Sequence, residues 1–128
     1  MPWIPRHALL RSLLTASLVA LPAWCLAHAR LEQAQPARRS ALTSSPAQVR
    51  LRFNEAVELQ YSHLSVTDST GHTLSTAPTL APDANTLEIA LPKLSPGTYT
   101  VHYRVLSVDG HVIESAYPFT LQAPAAAP

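Results

Sequence analysis

Downstream of residue 46 hydrophobic residues recur at every second position, in short runs separated by turn-forming residues. Val49, Leu51 and Phe53 alternate with Gln48, Arg50 and Arg52, which predicts a half-buried strand over Ala47–Phe53 with a wet outer face. Asn54–Glu58 follows as a bend. Ser62–Asp68 alternates again through Leu64 and Val66. Asp68-Ser69-Thr70-Gly71 then marks a turn, with Thr73–Ser75 as a short return strand. Thr76–Asn85 carries Pro78 and Pro82 and reads as a loop. Thr86–Leu91 places Leu87, Ile89 and Leu91 on one face, and Pro92 ends it. Thr98–Leu106 is a long strand through Tyr99, Val101, Tyr103 and Val105, and Tyr117, Phe119 and Leu121 supply the last one. Arg30–Ser45 is polar and irregular, with room for at most one short edge strand.

Nothing in this pattern has a helical period. About seven short strands with Pro, Gly and Asp turns between them predict an all-β fold, a Greek-key, Ig-like β-sandwich. Tyr99 stands just after the Pro96-Gly97 corner. That is the setting of a tyrosine corner, in which the hydroxyl bonds back to the preceding loop.

The first 27 residues follow a different logic. Arg6 and Arg11 precede an apolar run, Ser12–Leu21, which Pro22 ends before the small residues around Ala27. Basic, then apolar, then small is the order of a secretory signal peptide. The apolar run is shorter than the about 20 residues a membrane-spanning helix needs. Two cleavage points fit. A cut after Ala27 leaves His28 as the first mature residue, whereas a cut after Ala29 uses Ala27-His28-Ala29 and discards that histidine. The expected organisation is a signal peptide over 1–27, one β-sandwich domain over 28–122, and a disordered Pro/Ala tail over 123–128.

Removing the signal changes the charge. The full chain carries a formal +1, but the seven Lys and Arg residues after Ala27 face eight acids, leaving about −1. No basic patch remains to argue for nucleic acid or an anionic membrane. The lone cysteine, Cys25, and the lone methionine, Met1, both lie before the cut. The mature chain therefore has neither a disulfide nor a sulfur ligand, and must hold itself together by core burial.

The candidate chemistry lies in Ser107-Val108-Asp109-Gly110-His111, where the long strand runs out. Asp109 and His111 are two apart, so in a near-extended chain both side chains project to one side. Asp-Gly also reads as an ordinary hairpin turn. With His28 at the mature N-terminus, its α-amine and imidazole can chelate one ion. A metal displaces the amine's proton readily near neutral pH, since its ordinary pKa is about 7.7–8.0. Joined by His111 and Asp109, these form a nitrogen-rich set without sulfur that suits Cu(II), with zinc as the competitor.

A mature start of His28-Ala29-x-Leu31 resembles the CopC family of periplasmic copper-resistance proteins. So do Pro46-Ala47, Leu51-x-Phe53-x-Glu55-x-Val57-Glu58, Leu94-x-Pro96-Gly97-x-Tyr99-x-Val101 and Ser107–His111. The match spans nearly the whole mature chain in order. The resemblance implies a Greek-key sandwich that binds Cu(II) through His28, Asp109 and His111, with cleavage after Ala27. It further implies that Glu55 lies near the metal as a weak ligand or as an acceptor behind the ligands. Some members hold Cu(I) in a methionine-rich loop. Leu74–Thr86 has no methionine, so no such site is expected here.

The expected function is a periplasmic, monomeric Cu(II)-binding protein that sequesters or delivers copper and does no chemistry on a substrate. Its partners would be the copper ion and a membrane copper transporter or another periplasmic copper protein, with no nucleic acid and no membrane span in the mature chain. Two other readings compete. An N-terminal histidine chelate with a further histidine also resembles the histidine brace of oxidative polysaccharide-cleaving enzymes, and a metal-free Ig-like adhesion module would use Asp-Gly-His as a mere turn. His63, His72 and His102 read as solvent-facing residues without a metal role.

Overall fold

In the computed structural model, residues 29–124 are described and form nine strands in two sheets. In chain order these are β1 (Leu31–Gln35), β2 (Ala41–Leu42), β3 (Gln48–Phe53), β4 (His63–Thr67), β5 (Thr73–Ser75), β6 (Thr79–Leu80), β7 (Thr86–Ala90), β8 (Gly97–Leu106) and β9 (Val112–Leu121). A single 3-10 turn, Leu59–Tyr61, precedes β4. One sheet has the order β1-β3-β7-β6 and the other β2-β9-β8-β4-β5. The expected signal peptide over 1–27, His28 and the last four residues lie outside the described residues.

Alternation explains the sandwich. Val49, Leu51 and Phe53 of β3 and Leu87 and Ile89 of β7 point inward from one sheet, while Arg50, Arg52 and Glu88 point outward. From the other sheet come Leu64 and Val66, then Tyr99, Val101, Tyr103 and Val105, then Tyr117, Phe119 and Leu121. The two layers meet where the Phe53 ring packs edge-on against Tyr103, with centroids 5.9 Å apart. Within its own sheet Tyr99 stacks on Phe119 at 5.5 Å.

The predicted strands are present, and the all-β sandwich is as expected. Three differences arise at the edges. The segment 30–45 yields two strands rather than one, because β1 pairs antiparallel with β3 while the two-residue β2 runs parallel to β9. The expected loop 76–85 contributes β6, which pairs with β7. β9 begins at Val112, earlier than its apolar residues suggest, because the first half of that strand is exposed on one face and only half-buried on the other. Short edge strands hold few buried side chains, so no alternation announces them.

The tyrosine corner is formed: the Tyr99 hydroxyl donates to the Ser95 carbonyl at 2.5 Å. It closes the turn that feeds β8, the strand leading to the candidate site. Removing this hydroxyl while keeping the ring should cost about 1 kcal/mol, the usual net worth of such a bond. Tyr99→Phe is therefore expected to lower the melting temperature by ~4–8 °C in a domain of this size. An unchanged calorimetric melting temperature would show that the corner contributes nothing to stability.

Candidate metal centre

β3 leaves its sheet after Phe53, and the bend that follows is gripped from three sides. The Asn54 amide donates to the Arg30 carbonyl at 3.1 Å, and the Arg30 amide donates to Asn54 Oδ1 at 2.6 Å. The loop before β7 supplies the second grip, with the Val57 amide donating to Ala84 O at 3.0 Å and the Phe53 amide to Asn85 O at 2.9 Å. Asp83 orders that loop by accepting from the Asn85 and Thr86 amides. The third grip is the end of β8. Val57 and Ser107 form an antiparallel bridge, flanked by Glu58 N–H to Leu106 O at 2.8 Å and Val108 N–H to Ala56 O at 3.0 Å.

Together these bonds place the start of the described chain, the Glu55 bend and the Ser107–His111 segment at one end of the sandwich. Ala29 is buried there, and Leu31 pairs with Phe53.

Ser107–His111 is a turn rather than an extended run. The Ser107 amide donates to His111 O at 2.8 Å and the Gly110 amide to Ser107 O at 2.9 Å, which closes the β8–β9 hairpin. Gly110 sits at φ +92°, in a region where a side chain would be strained, so glycine is required at this point. The expectation that Asp109 and His111 share a side because the chain is extended is therefore corrected in its cause. They do meet, because the turn folds them together. Asp109 Oδ2 lies 3.0 Å from His111 Nδ1.

The ordering of this pair starts from Ser107, which is only 1% exposed. Its hydroxyl donates to Asp109 Oδ1 and accepts from the His111 amide at 3.2 Å. The Ser107 hydroxyl is also the main reason that the Asp109 carboxyl is held well below the usual aspartate range, with His111 and Glu55 adding to the effect. Glu55 responds in the opposite direction. Burial raises its pKa, and the neighbouring Asp109 carboxylate raises it further. Its Oε2 is buried without a well-formed hydrogen bond. A buried, unsatisfied carboxyl oxygen beside a second carboxylate is an arrangement that a proton or a cation would relieve.

Two of the residues singled out in the sequence, Asp109 and His111, are in contact here, and Glu55 stands beside Asp109. His28 lies outside the described residues. Among the described residues no group of three or more His, Cys, Asp or Glu side chains is disposed to hold a metal ion. The described part of the site thus offers imidazole nitrogen and carboxylate oxygen, donors compatible with a borderline divalent ion but insufficient to enclose one. The sequence places Ser107 inside the candidate motif but gives it no role of its own, and it does not mark Asn54 at all. Asn54 acts on Arg30, a partner that only the fold supplies, whereas Ser107 reaches Asp109 within the same turn.

Comparison with known proteins gives a consistent result. The CopC domain family matches residues 31–122. Protein YobA of Escherichia coli strain K12 is 35% identical over 120 residues, covering 91% of this chain and 94% of that protein. Copper resistance protein C of Escherichia coli is 30% identical over 122 residues, covering 88% of this chain and 96% of that protein. The crystal structure of CopC from Methylosinus trichosporium OB3b superposes with a TM-score of 0.72 at 37% identity, covering 79% of this chain and 99% of that one.

The opposed carboxyls give a direct test in the metal-free protein. Followed by carboxyl carbon NMR, Glu55 should titrate above the ordinary glutamate range and Asp109 below the ordinary aspartate range. The stability that Asp109 contributes is then present above the ordinary aspartate range and is lost as pH falls through its lowered value. Ser107→Ala should move the Asp109 titration upward. An Asp109 that titrates normally in both proteins would contradict this account of the turn.

Proposed function

The chain belongs to the CopC family, and from that premise we propose that it is a periplasmic Cu(II)-binding protein that sequesters or delivers copper. A copper-related role is common to the family. The finer reading has its main support in one observation: Arg30, Asn54 and the Ser107–His111 turn converge at one end of the sandwich. His28 precedes buried Ala29 by one residue, so a mature chain starting at His28 would bring an amine and a second imidazole toward Asp109 and His111.

In this reading His28 and His111 supply nitrogens and Asp109 an oxygen. The bond from Asp109 to His111 Nδ1 orients the imidazole, so that Nε2 is the nitrogen offered to the ion. Glu55 supports the site from behind, and its unsatisfied oxygen gains a nearby cation. A set of amine, imidazole and carboxylate suits Cu(II), and the affinity order among divalent ions places copper above zinc. The copper is cargo, bound and released with no bond made or broken on a substrate. A membrane copper transporter or another periplasmic copper protein would receive it. Among the described residues no helix is long and apolar enough to cross a membrane.

The test is to lengthen the mature N-terminus by one residue, which takes the α-amine out of the site and keeps the His28 ring. Cu(II) affinity should fall at least ~100-fold, the scale of losing one strong ligand, and the Cu(II) EPR spectrum should change. His111→Ala should weaken binding more than Asp109→Asn, because neutral imidazole is the stronger Cu(II) ligand. Wild-type affinity and an unchanged spectrum in the extended protein would rule out the amine as a ligand.

The oxidation state makes a second, separate prediction. Cu(I) prefers thiolate and thioether, and no cysteine or methionine follows Cys25. Reduction should loosen the ion, so that ascorbate with a Cu(I) chelator strips it rapidly. Anaerobic competition titrations should show Cu(I) held less tightly than Cu(II). Equal retention of both states would contradict the proposed ligand set.

A further inference from the structure

The outer face of the β4-β8-β9 sheet carries two more exposed histidines. His63 lies opposite Arg104, and Ser65 lies opposite His102, so His63 and His102 are diagonal neighbours on adjacent antiparallel strands. Both point away from the core, as do Arg104 and Glu114. All four line one shallow cavity of about 220 Å³, together with Ser65. Diagonal positions on such a pair lie roughly 7–8 Å apart along the backbone, with the Cβ atoms closer, which is within reach of two imidazoles converging on one ion.

From this placement we propose a second metal site on the sheet face, in which His63 and His102 chelate a borderline divalent ion, Cu(II) before Zn(II). His102 Nε2 is 3.0 Å from Thr67 Oγ1. With that nitrogen donating to the hydroxyl, Nδ1 carries the lone pair for the ion, and the ring is oriented by its other nitrogen as ligand imidazoles are. Arg104 is the charge that opposes a cation here. It is paired with Glu114 at 3.9 Å, and Glu114 is also diagonal to His102 across β9. Two neutral imidazoles with this ion pair carry no net charge, so the incoming ion meets no uncompensated positive field. Two imidazoles and water complete a tetragonal Cu(II) shell, while a tetrahedral Zn(II) would take water in its remaining two positions.

The site lies on residues other than Glu55, Asp109 and His111, and its existence does not depend on theirs. It would let the protein take up a second, weaker equivalent of copper when the metal is abundant.

The test uses the His111→Ala protein, in which the loop site is weakened, titrated with Cu(II) alone and followed by amide NMR. Paramagnetic broadening should appear at Ser65, His102, Arg104 and Ala116 as a patch separate from the Ser107–His111 turn. On this background, His63→Ala and His102→Ala should each weaken that patch's binding at least ~10-fold. The double variant should lose more than either single one but less than the sum of the two single losses, because each single loss already breaks the chelate. Absence of the broadened patch, or losses that simply add as for two independent imidazoles, would overturn the proposal. Both histidines are exposed on regular strands, and unchanged amide spectra in the absence of metal will show that the variants fold.

Discussion

The antiparallel bridge between Val57 and Ser107 is the contact on which the end of this molecule depends. Without it, the bend after β3 and the turn after β8 would be two independent loops of different sheets. With it, the backbone of each satisfies the other's amides, and Ser107 is buried where its hydroxyl can hold Asp109. The effect passes along the chain in steps: backbone pairing buries a serine, the serine fixes a carboxylate, and the carboxylate orients an imidazole. On the other side the same bend holds Arg30 through Asn54. The start of the domain is thereby tied to the turn nearly eighty residues later.

Much of this architecture could be read from the sequence, for a simple reason. Strands with one wet and one dry face must alternate, and Val49 to Phe53 and Tyr99 to Val105 do so without a break. The tyrosine corner was legible too, since Pro96-Gly97 fixes a tight turn within reach of the Tyr99 hydroxyl. What stayed hidden was set by contacts distant in sequence. β2 and β6 have two residues each and are strands only because β9 and β7 lie alongside them. The candidate site was legible as residue types, Asp109 and His111, but not as geometry. A glycine between them allowed both an extended run and a turn, and the bond from Ser107 decided for the turn. His63 and His102 show the same limit: alternation placed each outward, and only the register of β4 against β8 made them neighbours.

The electrostatics of the loop end are asymmetric in a way that suits a site for a cation. Asp109 is stabilised in its charged form by a hydroxyl, an imidazole and a backbone amide. Glu55 is pushed toward its neutral form by burial and by Asp109 itself. One carboxylate is thus held in its charged form, while the charged form of the other is disfavoured. An ion arriving between them would offset the penalty on Glu55, so that binding and ionisation of this half-buried group favour each other.

Copper binding at this end of the fold requires that the mature chain begin with His28. Native mass spectrometry of the protein recovered from the cells that make it answers this in one spectrum. The predicted result is a chain running from His28 to the C-terminus that retains one copper at low copper supply. A chain beginning at Arg30, or a His28 chain that carries no copper after exposure to it, would contradict the central claim.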